Sequence, residues 1–296
     1  MNLQLLFNDP IIHVEQPSGI HDGPAALWVV TTECEHAVVR RDRQIEVFAQ
    51  PFWFGCRRLF ALDPTNVIPI AALNHTLARL THTRIPQVRR SLLLEGQHYV
   101  LLDHLPGIAP RSFAYQPRDL IADLGRTVAE LHSRYFYYYG DALGRRRFAM
   151  PTFYPRLIGT AEALIGRFYQ NDPMLHAELD QMRALTSQLP EIETATYIMA
   201  DMAPAQFLCA GIHLAAIHDT EAYVLGPREL DFIMLEYLLD AAGARAFAES
   251  YCQFHRIPPL TAIRPLYRFF LQLLGFGRWV SPAAHTPQPL FDAWSH

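Results

Sequence analysis

The sequence predicts an α+β fold of two unequal lobes, a small antiparallel β-rich lobe followed by a larger helical one. Short β-branched and aromatic runs are concentrated in the first hundred residues. After Pro106-Gly107 the apolar residues recur instead at three- and four-residue spacing. The chain has 296 residues, half of them hydrophobic, which is enough to bury a sizeable core. The expected division is residues 1–104 for the small lobe, 105–280 for the helical lobe, and an irregular, proline-containing tail over 281–296.

In the first lobe, Ala26–Thr31, Ala37–Arg40 and Gln44–Ala49 read as strands. The aromatic run Phe52–Leu62 reads as a further strand or strand-turn, with Phe52-Trp53-Phe54 in the core of the small lobe. Pro69 suits the first turn of a helix over Ile70–Leu80, where Leu73, Leu77 and Leu80 share one face. Arg90–Leu94 and His98–Leu102 flank Glu95-Gly96-Gln97 as a hairpin. In the second lobe a helix follows Pro117, with Leu120, Leu124, Val128 and Leu131 in phase. Pro155–Gln170 and Pro173–Leu189 are further amphipathic helices. Thr196–Met199, Phe207–Cys209 and His213–Ile217 are short strands around tight turns. Glu229–Leu239, Ala242–His255 and Ala262–Gly275 complete the helical set.

Bulk properties exclude several function classes. A net charge of −4 and a pI near 6.4 favour neither nucleic acid nor an anionic membrane as a partner. No apolar stretch reaches membrane-spanning length, and Leu3–Phe7 is too short for the core of a signal peptide. The four cysteines, Cys34, Cys56, Cys209 and Cys252, form no CxxC pair, which suits a reducing cytoplasm. All 25 basic residues are arginine, so chemistry that needs an ε-ammonium is excluded.

The informative stretch is Tyr197-Ile-Met-Ala-Asp201-Met-Ala-Pro-Ala-Gln206, then Ile217-His-Asp219-Thr-Glu221, then Gly226-Pro-Arg-Glu-Leu-Asp231. This order resembles the aminoglycoside phosphotransferase and choline-kinase group of small-molecule kinases, with its HGDxxxxN loop, later D-x-E and G-D-P-x-x-D segment. Arg84-Ile-Pro-Gln-Val88, Tyr99–Gly107 and Leu124–His132 resemble three further segments of that family, in the same order. The resemblance implies a two-lobed protein-kinase-like fold and phosphorylation of a small molecule's hydroxyl with ATP and Mg2+. It implies Asp201 as the residue that orients or deprotonates the acceptor, and Asp219 with Gln206 as magnesium ligands. Asp231 and Glu221 would be structural, and Asp103, His104 and Leu105 would contact the adenine.

Several family features are missing. Met199 and Ala200 replace the loop His-Gly, Gln206 replaces the asparagine, and no glycine-rich loop surrounds Gly55. The helix Ile70–Leu80 has no acidic residue, so the family's Lys–Glu pair has neither member. The phosphate-binding cation then falls to Arg57 or Arg58, with Arg40 or Arg41 as alternatives. Two functions follow: a divergent phosphotransferase, or a catalytically inactive pseudokinase that binds a protein partner.

Other tempting residues carry simpler readings. His213, His218, Asp219 and Glu221 lack the spacing of a zinc site. Cys209 lies in an apolar run and reads as an inert buried thiol. The aromatic run Tyr135–Tyr139 reads as helix packing, and Arg145-Arg146-Arg147 as a solvated loop. His132 reads as a capping or core-edge residue at the end of its helix.

Overall fold

Strand polarity and the pairing of apolar faces set the small lobe. In the computed structural model, which describes residues 3–16, 25–42, 47–276 and 288–295, five antiparallel strands form one sheet. These are β1 (Ile11–Glu15), β2 (Ala25–Thr32), β3 (His36–Asp42), β4 (Val88–Leu94) and β5 (Gln97–Asp103), ordered β1-β2-β3-β5-β4. Glu95 and Gly96, both at positive φ, close the β4–β5 hairpin, as a two-residue primed turn requires. Alternation along each strand divides its residues between two faces. Ala37, Val39, Tyr99 and Leu101 pack on one face with Leu6 and Phe7. Val38, Val100 and Leu102 pack on the other with Val67 and Ile70. Arg40 therefore emerges on the second face, from the central strand.

Two helices connect β3 to β4: α1 (Pro51–Phe60) and α2 (Ile70–Ala78). The strand expected over Phe52–Leu62 is helix α1. Pro51 sits in its first turn, and Trp53, Cys56 and Phe60 form one buried face at helical spacing. Aromatic content suggested a strand, but this periodicity decides the outcome. That face joins the main core, not the small sheet: Gly55 lies against Leu274 and Leu164, and the Arg156 Nε–H donates to the Leu59 carbonyl at 3.0 Å. Of the strand expected over Gln44–Ala49, residues 44–46 lie outside the described residues, and Val47–Ala49 forms a 3-10 turn.

The larger lobe follows in the order α3 (Arg118–His132), β6 (Tyr138–Asp141), β7 (Arg147–Ala149), α4 (Phe153–Phe168), α5 (Pro173–Thr186), β8 (Thr196–Met199), β9 (Phe207–Ala210), β10 (His213–Ile217), β11 (Tyr223–Gly226), α6 (Glu229–Leu238), α7 (Ala241–Tyr251) and α8 (Arg264–Leu273). Asp172 and Asp240 cap α5 and α7 through backbone N–H groups. Strands β7-β6-β11-β8 form a small sheet beneath the helices, and β9–β10 a separate hairpin. Within the run expected to pack helices together, Tyr138 and Tyr139 lie on β6; Tyr139 is buried, whereas Tyr135 and Tyr137 are exposed. Arg147, expected in a solvated loop, lies on β7 with its guanidinium over the Tyr138 ring. Residues 281–287 of the expected tail lie outside the described residues. Beyond them the chain is held in place: Phe291 is fully buried against Phe232 and Phe247. Among the described residues, no helix is long and apolar enough to cross a membrane.

Candidate active site

The turn after β8 carries Asp201, and its position is set from below. Asp231, in the first turn of α6, is buried and accepts the Met199 backbone N–H at 3.2 Å. Its second oxygen meets His132 Nε2 at 3.1 Å, while His132 Nδ1 meets the Tyr251 hydroxyl at 3.0 Å. Burial pushes the His132 imidazole well down and the Asp231 carboxyl well up, so both are held toward their neutral forms. His132, expected at a helix edge, is instead wholly buried in a network joining α3, β8, α6 and α7.

Asp201 is largely enclosed. Burial lifts its carboxyl to about 6, and the nearby Asp219 carboxylate adds to the rise, against a hydrogen bond from Gln206 that lowers it. Gln206 donates through Nε2 to Asp201 Oδ2 at 3.0 Å, so its amide oxygen is the end left for another partner. The Cys56 thiol of α1 is fully buried and close enough to Asp201 for that charge to help push its ionisation up.

Asp219 and Glu221 follow β10, with Thr220 between them. The fixed cation facing them is Arg40. Its Nη1 donates to Asp219 Oδ1 at 3.1 Å and its Nη2 to Glu221 Oε2. The side-chain exposures of Arg40, Asp219 and Glu221 are 5%, 25% and 10%, so Asp219 is the member of the trio that most faces solvent. The Arg40 Nε–H is buried without a partner. Arg57 and Arg58 lie on the exposed side of α1, over the Phe48 and Phe54 rings at 4.1 and 5.7 Å. Arg41 points to the opposite sheet face, over Trp28 and Tyr99. Of the two arginines on β3, alternation turns Arg40, and not Arg41, toward Asp219 and Glu221.

The connection after β5 is tied at both ends. The Asp103 carboxylate accepts from Arg89 Nε at 2.6 Å and from the Gln87 backbone N–H at 3.1 Å. His104 stands 6.0 Å from His36, and burial lowers its basicity; Leu105 is buried. Ile108 exchanges backbone hydrogen bonds with Cys209, and Gly107 touches Leu208 so closely that a Cβ would clash. Cys209 is half-buried and unpaired, and burial raises its thiol.

Two residues at this site escape a reading by motif, Asn74 and Thr220. Asn74 on α2 is fully buried; it donates to the Pro86 carbonyl at 2.6 Å and accepts from the Thr220 hydroxyl. The only sequence signal for this was a lone polar residue on an apolar helix face.

No family model and no curated protein matches this chain. Solved structures do resemble it. A protein assigned as a fructosamine-3-kinase from Haemophilus somnus 129PT aligns with a TM-score of 0.63 at 14% identity, over 99% of this chain and 92% of that one. The macrolide 2'-phosphotransferase of Brachybacterium faecium gives 0.61 at 16% identity, over 94% and 90%. A spectinomycin phosphotransferase bound to ADP and spectinomycin gives 0.60 at 13% identity, over 99% and 90%. The chain therefore has the two-lobed, kinase-like fold of the aminoglycoside phosphotransferase group.

Proposed function

We propose that this chain is a phosphotransferase that moves the terminal phosphoryl group of ATP to a hydroxyl of a small molecule. The observation that carries this reading is the convergence of Asp201, Gln206, Asp219 and a buried arginine at the junction of the two lobes. Asp201, with its carboxyl near 6, is ionised in most molecules at neutral pH. It is basic enough to take a proton from a hydroxyl as that oxygen forms its bond to phosphorus. The bond from phosphorus to the bridging oxygen breaks, and ADP leaves with the electron pair. Arg40 supplies the permanent charge that the absent lysine would otherwise contribute.

The donor set suits magnesium by its chemistry. Asp219 and the Gln206 amide oxygen are hard oxygen donors, and magnesium is commonly held by one or two such groups together with phosphates and water. When bound, the ion would neutralise phosphate charge. The four cysteines are free, which suits a reducing compartment such as the cytoplasm.

A second reading is a binding module without catalysis, and one feature favours it: Arg40 already occupies one oxygen of Asp219. Thermal unfolding separates the two. Millimolar ATP with magnesium should stabilise the protein by about 2.7 kcal/mol at a hundredfold excess over Kd, and Asp219→Ala should abolish the magnesium-dependent part. The absence of any nucleotide shift would reject the phosphotransferase and leave a protein partner as the ligand to seek.

A further inference from the structure

We infer that Glu221 is the positioning carboxylate for a phosphate-binding Arg40, and takes the place of an acidic residue on the helix that covers this sheet face. The inference rests on the phosphotransferase reading above. Helix α2 packs on the side of the sheet from which Arg40 emerges, yet Ile70–Ala78 contains neither Asp nor Glu. What α2 supplies is neutral: Asn74, fully buried, accepts a hydrogen bond from the Thr220 hydroxyl through Oδ1 and so holds the residue between Asp219 and Glu221. The carboxylate has moved from the helix to the turn, and the helix now fixes the turn.

Each hydrogen bond in the trio has a distinct consequence. A guanidinium is planar and forked, so Nη1 and Nη2 can serve two acceptors at once. Nη2 is directed to Glu221, the more enclosed carboxylate, and Nη1 to Asp219, the more exposed one. Holding the arginine by Glu221 lets Nη1 exchange Asp219 for a phosphate oxygen while the side chain stays anchored. The buried, unpartnered Nε–H adds a donor on the same guanidinium. Without Glu221, the arginine would keep Asp219 as its single carboxylate and compete with any other ligand of that group.

The test is nucleotide binding by titration calorimetry, with ATP and magnesium, for the wild type, Arg40→Met, Glu221→Gln and the double variant. Each single change should weaken binding at least tenfold, and the double variant should bind no more weakly than Arg40→Met within about twofold, because Glu221 acts through Arg40. Glu221→Asp, which keeps the charge one methylene shorter, should fall between wild type and Glu221→Gln; it also serves if the glutamine variant fails to fold. Equal losses from Glu221→Gln in both backgrounds, or no loss, would overturn the inference and leave Glu221 a structural residue. A wild type that binds no nucleotide would overturn this inference and the phosphotransferase reading together, whereas the additive result leaves that reading intact.

Discussion

Asp201 combines two opposing demands within one side chain: enclosure that raises its proton affinity, and the role proposed for it as a base, which needs it ionised. Its carboxyl is lifted from an ordinary 3.8 to about 6. The folded protein thus keeps this proton over a pH range in which the unfolded chain has already released it. Stability from this group is therefore full below about pH 4 and is lost as pH rises through 6. Asp201→Asn removes the cost of the buried charge. By urea denaturation the variant should be more stable than wild type at pH 8, by about 1–3 kcal/mol, with the gap closing toward pH 4. A variant less stable than wild type at both ends would mean that the Gln206 hydrogen bond outweighs the desolvation cost. On the proposed phosphotransferase reading, the same ionisation would set activity, and kcat/KM for ATP-dependent phosphorylation should fall about tenfold per pH unit below 6.

At the scale of elements, the site depends on how closely α3 approaches α7. Gly125 on α3 has no room for a side chain, since a Cβ there would lie 2.5 Å from the Phe247 carbonyl oxygen, a backbone atom that cannot rotate away. In an open helix position, Gly→Ala gains up to about 1 kcal/mol from backbone entropy alone. Here the clash should dominate: Gly125→Ala should destabilise by about 1–3 kcal/mol in denaturant titration. Gly166→Ala on α4 is the control, because nothing lies within 4 Å of its added Cβ, and it should be neutral or mildly stabilising. The consequence reaches the site. His132 at the end of α3 holds Asp231, which in turn holds the Met199 N–H beside Asp201, so a displaced α3 should also weaken the nucleotide binding proposed for this site.

At the scale of the whole molecule, the chain after residue 287 returns to close the core. Phe291 is fully buried against Phe232 and Phe247, and Asp292 pairs with Arg264, which also contacts Glu236. Glu236 is enclosed and shared between Arg264 and Arg268, so the C-terminal segment completes a charge network that α6 and α8 would otherwise leave one carboxylate short. Phe291→Ala should cost about 3–5 kcal/mol and lower Tm by several degrees in calorimetry. Between the lobes, the apolar face of α1 in the main core is joined by directional polar contacts: Ile217 with Arg84, Asn74 with Thr220, and Arg40 with both carboxylates.

Local physics made much of the architecture legible. Alternation exposed β2 and β3, Glu95-Gly96 marked a hairpin, and three-four periodicity with proline starts outlined the helices of the larger lobe. Helix α1 was hidden because Phe52-Trp53-Phe54 suits a strand by composition; only its burial against Leu164 and Leu274 reveals which periodicity governs. Strands β6, β7 and β11, three or four residues long, carry no strand expectation: Tyr138 and Tyr139 read as helix packing and Arg147 as a solvated loop. At the site, residue order alone places Asp201, Gln206, Asp219, Glu221 and Asp231 in a kinase-like succession, and the lack of lysine makes any fixed phosphate cation an arginine. Neither selects Arg40 over Arg57, Arg58 and Arg41. That choice depends on which face of the small sheet turns toward the helical lobe and on a contact spanning 181 residues, and only the tertiary structure decides either.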